Sequence, residues 1–220
     1  MSWIITGTQQ YPAVIGEPFG GGYFAGYISH TADGNATHAL IVAPRATGAT
    51  GTGYTLTTNL VWKTSNTSTA NTNSLFDGAA NTAAMVAANI DDHPAAKFCT
   101  QLAIGGFTDW YLPSKAELEI AYFNLKPSTL VNQTATNYAL NPYAVPAGRV
   151  NYSSVVPSQT TVNTFKSGGL EAFVDSRHWS SRQATASVAE ELWFNNGFTA
   201  AQPKSLNQGI RVRAFRRIAL

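Results

Sequence analysis

Apolar and polar positions along this chain follow two periods, and the change from one to the other sorts it into elements. The runs "GGYFAGYIS" and "THALIVAPR" are aromatic and β-branched, with Asp33-Gly34 in the "TADGNA" stretch between them. They predict a β-hairpin pairing residues 23–29 with 38–43. Residues 46–73 are mostly Thr, Gly, Ser and Asn around one apolar knot, "NLVWK", enough for a short strand in a surface loop. From Asp77 the spacing turns helical, with Ala79, Ala80, Ala83, Ala84, Val86 and Ala87 in a small-residue helix that "DDHP" ends. Pro94 suits the first turn of a second helix running to about Leu102. Ser114 and Glu117 have capping-box spacing for a third helix, which buries Leu118, Ala121, Tyr122 and Leu125.

After that helix the pattern dissolves. Residues 127–169 have several prolines and little apolar spacing, which predicts a long irregular insertion rather than a second core. Strand patterns return in "EAFVDSRHWSS", in "AEELWFNNGFTAAQ" with Asn196-Gly197 at a hairpin turn, and in "GIRVRAFRR". In the last of these, Ile210, Val212 and Ala214 should share one face, and Arg211 and Arg213 the other. Strands at both ends with helices between them predict an α+β fold whose terminal strands pair. Residues 1–76 form a strand region packed on a main core of residues 77–220, in one compact domain.

Composition changes this picture in one respect. Only 12% of residues are charged, against about 25% in an ordinary soluble domain, while 5 Trp, 9 Tyr and 11 Phe run through the chain. Neutral hydrogen-bonding groups dominate a folded, loop-rich surface. A net charge of +2 does not call for a polyanion, so no nucleic-acid partner is expected. Cys99 is the single cysteine, which excludes intrachain disulfides and thiolate metal clusters. The start of the chain lacks a basic segment followed by an apolar run, and no stretch reaches the roughly 18 apolar residues of a membrane helix. A protein made in the cytosol, with no signal peptide and no membrane insertion, is expected.

Candidate chemistry is sparse. Asp91, Asp92 and His93 could begin a metal site, but they lie at a helix end without a second ligand cluster, so no metal is expected. His178 near Ser180 and Ser181, with Asp175, contains the parts of a nucleophilic serine. No G-x-S-x-G elbow accompanies them, and neighbouring strand residues face opposite ways. The dense acidic groups Glu190-Glu191 and Glu117-Glu119 could serve a glycosidase, although Glu117 already has a capping role. The arginines of "RVRAFRR" fit a strand that ties down loops or carboxylates better than a nucleic-acid stripe, and the glycines of "GEPFGGGYF" fit close backbone packing. In "TDWYLP", Asp109 is expected to bond backbone amides at a corner while Trp110 and Leu112 plug the core. No catalytic residue and no cofactor is expected.

Taken in order, "TDWYLPSKAEL" (108–118), "HWSSRQ" with "ELWFNNG" (178–197) and "RVRAFRR" (211–217) resemble the Lcl C-terminal domain family of bacterial surface proteins and tailed-phage structural proteins. Asp109, Trp110, Leu112, Pro113, Trp179, Ser180, Ser181, Gly197, Val212, Arg213 and Arg216 match, whereas Tyr111 and His178 stand where Arg and Tyr are usual. The resemblance implies a C-type-lectin-like fold with two or three helices, mixed antiparallel strands and long irregular loops, in which a scaffold presents variable loops on one face. Structural roles fall to Asp109, Trp110, Leu112, Pro113, Ser114, Glu117, Trp179, Ser180, Ser181, Trp193 and Arg213. The implied function is that of a phage virion structural or binding protein, at a tail fibre, tail tip or capsid surface, located in the virion. Its expected partners are other virion subunits and a host cell-surface glycan or protein, and an oligomer is plausible. Contact candidates are Tyr143, Arg149, Tyr152, Arg177, Arg182, Asn195 and Asn196. The alternative is a glycan-degrading enzyme using Glu190 or Glu191.

Overall fold

The structure, a computed structural model, describes residues 3–6, 9–45, 53–55, 59–134, 141–146 and 152–220. β1 (Trp3–Thr6) and β2 (Gln9–Pro12) form a two-stranded ribbon. β3 (Pro18–Phe19), β4 (Gly22–Ile28) and β5 (His38–Val42) follow, and β4 and β5 form the predicted hairpin. The helices are α1 (Gly78–Asn89), α2 (Pro94–Thr100) and α3 (Lys115–Leu125), each beginning where its signal stands. Asp77 caps α1 by accepting from the Ala80 N–H at 2.8 Å, Pro94 opens α2, and Ser114 and Glu117 complete both halves of their capping box. Then come β6 (Ala144–Val145), β7 (Arg177–Gln183), β8 (Val188–Trp193), β9 (Thr199–Pro203), β10 (Ile210–Arg211) and β11 (Phe215–Ala219).

The architecture is α+β. One sheet has the order β11-β5-β4-β3, with β6 also pairing β4, and the other has the order β10-β7-β8-β9. The first contains strands from both ends of the chain, because β11 lies antiparallel to β5 in the register Phe215 to Val42. Cluster one of the core lies where α3 covers this sheet, placing Leu118, Ala121, Tyr122 and Leu125 against Ala25, Ile28, Leu40 and Val42. The β4 bulge brings Gly26 beneath α3 with φ at +132°, and a Cβ there would sit 2.5 Å from Asn124 Nδ2. Cluster two joins α1 and α2 to the other sheet through Met85, Cys99, Trp62, Trp110 and Trp179.

Several expected elements take other forms. "NLVWK" is not a strand: the Trp62 and Lys63 N–H groups both donate to the Lys204 carbonyl, and the Trp62 side chain fills the core. The strand expected from Glu171 begins only at Arg177, since Ala172 and Phe173 are buried in irregular chain. The insertion is not excluded from the core, because Tyr152 and Phe165 are buried in cluster one.

The closing "GIRVRAFRR" is not one strand but a crossing between the sheets. β10 runs parallel to β7, β11 joins β5, and Val212, Arg213 and Ala214 span the gap. Both faces of this crossing lie inside the protein, so Arg213 is only 1% exposed, as buried as Val212 and Ala214 beside it. Its Nε donates to the Ala43 carbonyl at 2.9 Å, Nη1 to the Glu171 carbonyl at 2.8 Å and Nη2 to Glu171 Oε2 at 3.0 Å. The guanidinium carbon lies 4.4 Å from the Phe173 ring centre. Burial lowers its pKa to about 10, still well above neutrality, so the guanidinium stays charged. Removing one member of a buried pair leaves the other uncompensated and costs about 3–5 kcal/mol. Arg213→Met and Glu171→Gln are each expected to lower the unfolding free energy by that amount in urea titrations. The double variant should lose clearly less than the sum of the two losses.

Candidate functional site

The quoted motifs are structural knots. Trp110 and Leu112 are buried, and Tyr111 exchanges backbone hydrogen bonds with Phe215, continuing the sheet edge at β11. The Tyr111 hydroxyl donates to Glu117 Oε1 at 2.7 Å, while the Ser114 N–H donates to Oε2 at 2.7 Å, so both carboxylate oxygens are engaged. Pro113 accepts the Ser181 N–H, and the Ser181 hydroxyl accepts from Asn81 Nδ2 at 3.0 Å. The corner thus ties α3 to β7 and, through Asn81, to α1. Asp109 does not serve backbone amides as expected: it is half-exposed and accepts from Arg216 Nε, and the Arg216 guanidinium covers Phe107.

"HWSS" shows the same pattern. Trp179 Nε1 donates to the Leu60 carbonyl at 2.8 Å, and the Ser180 carbonyl accepts from Trp62 Nε1 at 2.9 Å. His178 faces neither serine. Its Nδ1 donates to the Ser176 carbonyl at 3.0 Å, which leaves Nε2 to accept from the Tyr54 hydroxyl at 2.5 Å. His93 likewise uses both ring nitrogens, on the Asn89 carbonyl at 2.7 Å and Thr69 Oγ1 at 2.9 Å, while Asp91 pairs with Lys97. Among the described residues no group of three or more His, Cys, Asp or Glu is placed to hold a metal. Glu190 is held by Arg182, Glu119 by Lys115 at 2.6 Å, and Glu191 Oε1 accepts from Trp193 Nε1 at 2.9 Å.

Most of the described contact candidates are engaged within the fold. Tyr152 is buried against Tyr122, with ring centres 5.3 Å apart, and serves the core rather than a surface. Arg182 is occupied by Glu190 and the Asn73 carbonyl, and Arg177 by the Gln208 carbonyl, so both stitch loops. Tyr143 packs on Phe76 at 4.6 Å. The Asn195 and Asn196 carbonyls accept from Ser128 and Gln133, holding the β8–β9 turn against the start of the insertion. Arg149 lies outside the described residues.

A different place has the shape of a site. The turn before β3 and the 156–162 part of the insertion face each other across a groove of about 840 Å³, with Phe123 and Asn124 of α3 between them. Each wall has its own anchor. The turn is pinned to β4 by Gly16 N–H to the Phe24 carbonyl at 2.8 Å and Phe24 N–H to the Glu17 carbonyl at 2.9 Å. Gly16 has φ at +78°, and a Cβ there would lie 2.6 Å from Val162 Cγ1, so only glycine lets the two walls meet. The opposite wall is held by Lys126, at the end of α3, whose ammonium donates to the Leu130 carbonyl at 2.5 Å, Asn132 Oδ1 at 2.7 Å and the Pro157 carbonyl at 3.4 Å. Asn132 Nδ2 donates to the Pro157 carbonyl as well, at 2.9 Å.

Glu17 belongs to the groove lining and is only 9% exposed, yet neither carboxylate oxygen has a hydrogen-bond partner. A buried carboxylate without a partner is costly, and in a native structure such a group calls for an explanation. Val14 and Val156, at 48% and 40% exposure, are open apolar groups along the same groove. Nothing in "GEPFGGGYF" distinguishes Glu17 from a surface acid, because the groove it lines is completed by chain more than 100 residues away.

Burial holds His178 at about 3, far below the 6.5 of a free imidazole. Between those values the unfolded chain takes up a proton that the folded one refuses, so this residue's share of stability is lost as pH falls from 6.5 to 3. Burial pushes Glu117 the other way, from 4.5 up to about 7, so its share grows as pH falls through that range. The two slopes oppose each other from 6.5 to 4.5 in the wild type. Replacing His178 by Gln removes one of them, and the stability gap between wild type and variant should narrow by roughly 1.4 kcal/mol per unit below pH 6.5. Urea unfolding at a series of pH values measures this; a constant gap would mean that His178 is not held neutral.

In comparison with known proteins, no family model matches the chain and no curated protein matches its sequence.

Proposed function

We propose that the chain is a recognition module whose scaffold receives a partner in the groove between the β2–β3 turn and the insertion. Glu17 carries this reading: it is an unpartnered, nearly buried carboxylate in the lining of an open concavity with apolar walls. The resemblance of the three ordered motifs supports placing the module in the C-type-lectin-like group, on a phage virion at a tail fibre, tail tip or capsid surface. Its partner there is a host surface molecule or another virion subunit. A non-catalytic role is supported by how the other acids are used, since Glu117 caps a helix and Glu119 and Glu190 are tied to Lys115 and Arg182. A glycosidase needs two acids facing one sugar across a cleft, and the groove lining offers Glu17 alone.

Thr161 is an exposed residue of the groove lining, so Thr161→Trp fills the groove without entering the core. The variant is expected to keep the wild-type thermal midpoint and to lose about tenfold or more in binding to host cells or to isolated virion subunits, roughly 1.4 kcal/mol. Mass spectrometry of purified particles tests the virion assignment in parallel. Undiminished binding by the variant would sink the groove as the site. Release of sugar from host polysaccharide that disappears with Glu190→Gln would replace the proposal with an enzyme.

A further inference from the structure

The chemistry of the groove narrows what it binds, given that it is the recognition site. Among its described lining residues Glu17 is the only charged side chain, and its neighbours are Val14, Ile15, Phe123, Val156 and Val162, with Ser, Thr, Gln and Asn amides and hydroxyls between them. A neutral ligand, such as a sugar offering hydroxyls, would leave a net negative charge desolvated beneath it. A divalent metal ion would keep most of its charge unmet, because the lining supplies one carboxylate beside neutral oxygens. A cation on an aliphatic stem meets both requirements, because its charge compensates the carboxylate and its methylenes lie along the apolar walls.

We infer that the groove takes a lysine side chain from a protein partner, with the ammonium paired to Glu17 and the four-carbon stem against Val14, Phe123 and Val156. The carboxylate oxygens are shut away from solvent in the free protein. Pairing therefore requires the Glu17 side chain to turn toward the groove, a rotamer change on the scale common at interfaces. The buried lysines Lys126 and Lys204 are already met: Lys126 has three oxygen acceptors, and Lys204 sits among the Thr67 and Ala186 carbonyls at 2.8 Å each and the Gln183 side chain. Glu17 is the only carboxylate among the described residues with both oxygens buried and unpartnered, and no described cation meets it, so the pairing is assigned to a partner's lysine.

The test uses the intact chain, Nα-acetyl-lysine N-methylamide as probe, and amide chemical shifts as readout. Saturable shifts are expected at residues 13–17, 123–124 and 156–162, with a dissociation constant on the order of 1 mM for so small a ligand. Glu17→Gln should weaken binding at least about tenfold, and the norleucine analogue, which lacks the ammonium, should bind correspondingly less well. Without probe, Glu17→Gln should melt at or above the wild-type temperature, since it removes an unpaired buried charge. A lower melting temperature would reveal a structural partner for the carboxylate and overturn the inference. Equal binding of the norleucine analogue, or tighter binding of glucosamine, would overturn the lysine assignment while leaving the groove as a recognition site. If no probe shifts these residues, the assignment fails; if Thr161→Trp also leaves partner binding intact, the recognition reading fails with it.

Discussion

The crossing at Arg213 is the constraint on which the rest of the fold depends. A chain that leaves one sheet and enters the other must carry its backbone and side chains through the interior, where every polar group needs a partner. Arg213 supplies donors in a planar fork, and they reach the Ala43 carbonyl after β5 and both the backbone and carboxylate of Glu171. Three distant parts of the sequence meet at one guanidinium, and Glu171 Oε2 also accepts the Arg45 N–H at 2.6 Å. A lysine could not replace it, because a single ammonium lacks the fixed geometry of that fork.

The same economy governs the insertion. Its described residues have little regular hydrogen bonding of their own and depend on buried side chains that act as internal ligands for their carbonyls. Lys126 and Asn132 do this at one end, and the Tyr122 hydroxyl joins them by donating to Asn132 Oδ1 at 2.5 Å. These bonds hold residues 156–162 opposite the β2–β3 turn and so create the groove. Among the described carboxylates, Glu17 stands out because both of its oxygens are buried and unpartnered. Its burial is the cost that the proposed partner lysine would recover.

Local signals were legible wherever a residue acts on its immediate neighbours. Asp77, Pro94 and Ser114 with Glu117 mark three helix starts because capping is settled within four residues. The β4–β5 hairpin was legible because strand alternation and turn chemistry are equally local. The closing strand misled: alternation in "IRVRAFRR" assumes one dry and one wet face, and a segment passing between two sheets has no wet face. "NLVWK" misled for a related reason, since an apolar run becomes a strand only if a free edge is available to it. The contact candidates were chosen for residue type in loops, and most of those loops prove to be tied down by the same arginines and asparagines.

Taken alone, the sequence determined the α+β class, the three helix starts, the β4–β5 hairpin and the use of "TDWYLP" as a corner plugged by Trp110 and Leu112. These depend on spacing and on side chains within a few residues of one another. Only the tertiary structure decided that Arg213 is interior, that the insertion contributes Tyr152 and Phe165 to the core, and that Glu17 lies unpartnered in a groove. Burial and the presence or absence of a partner are properties of chain segments brought together from far apart. No local pattern encodes them, and the groove exists only because residues 13–17 and 156–162 are held face to face.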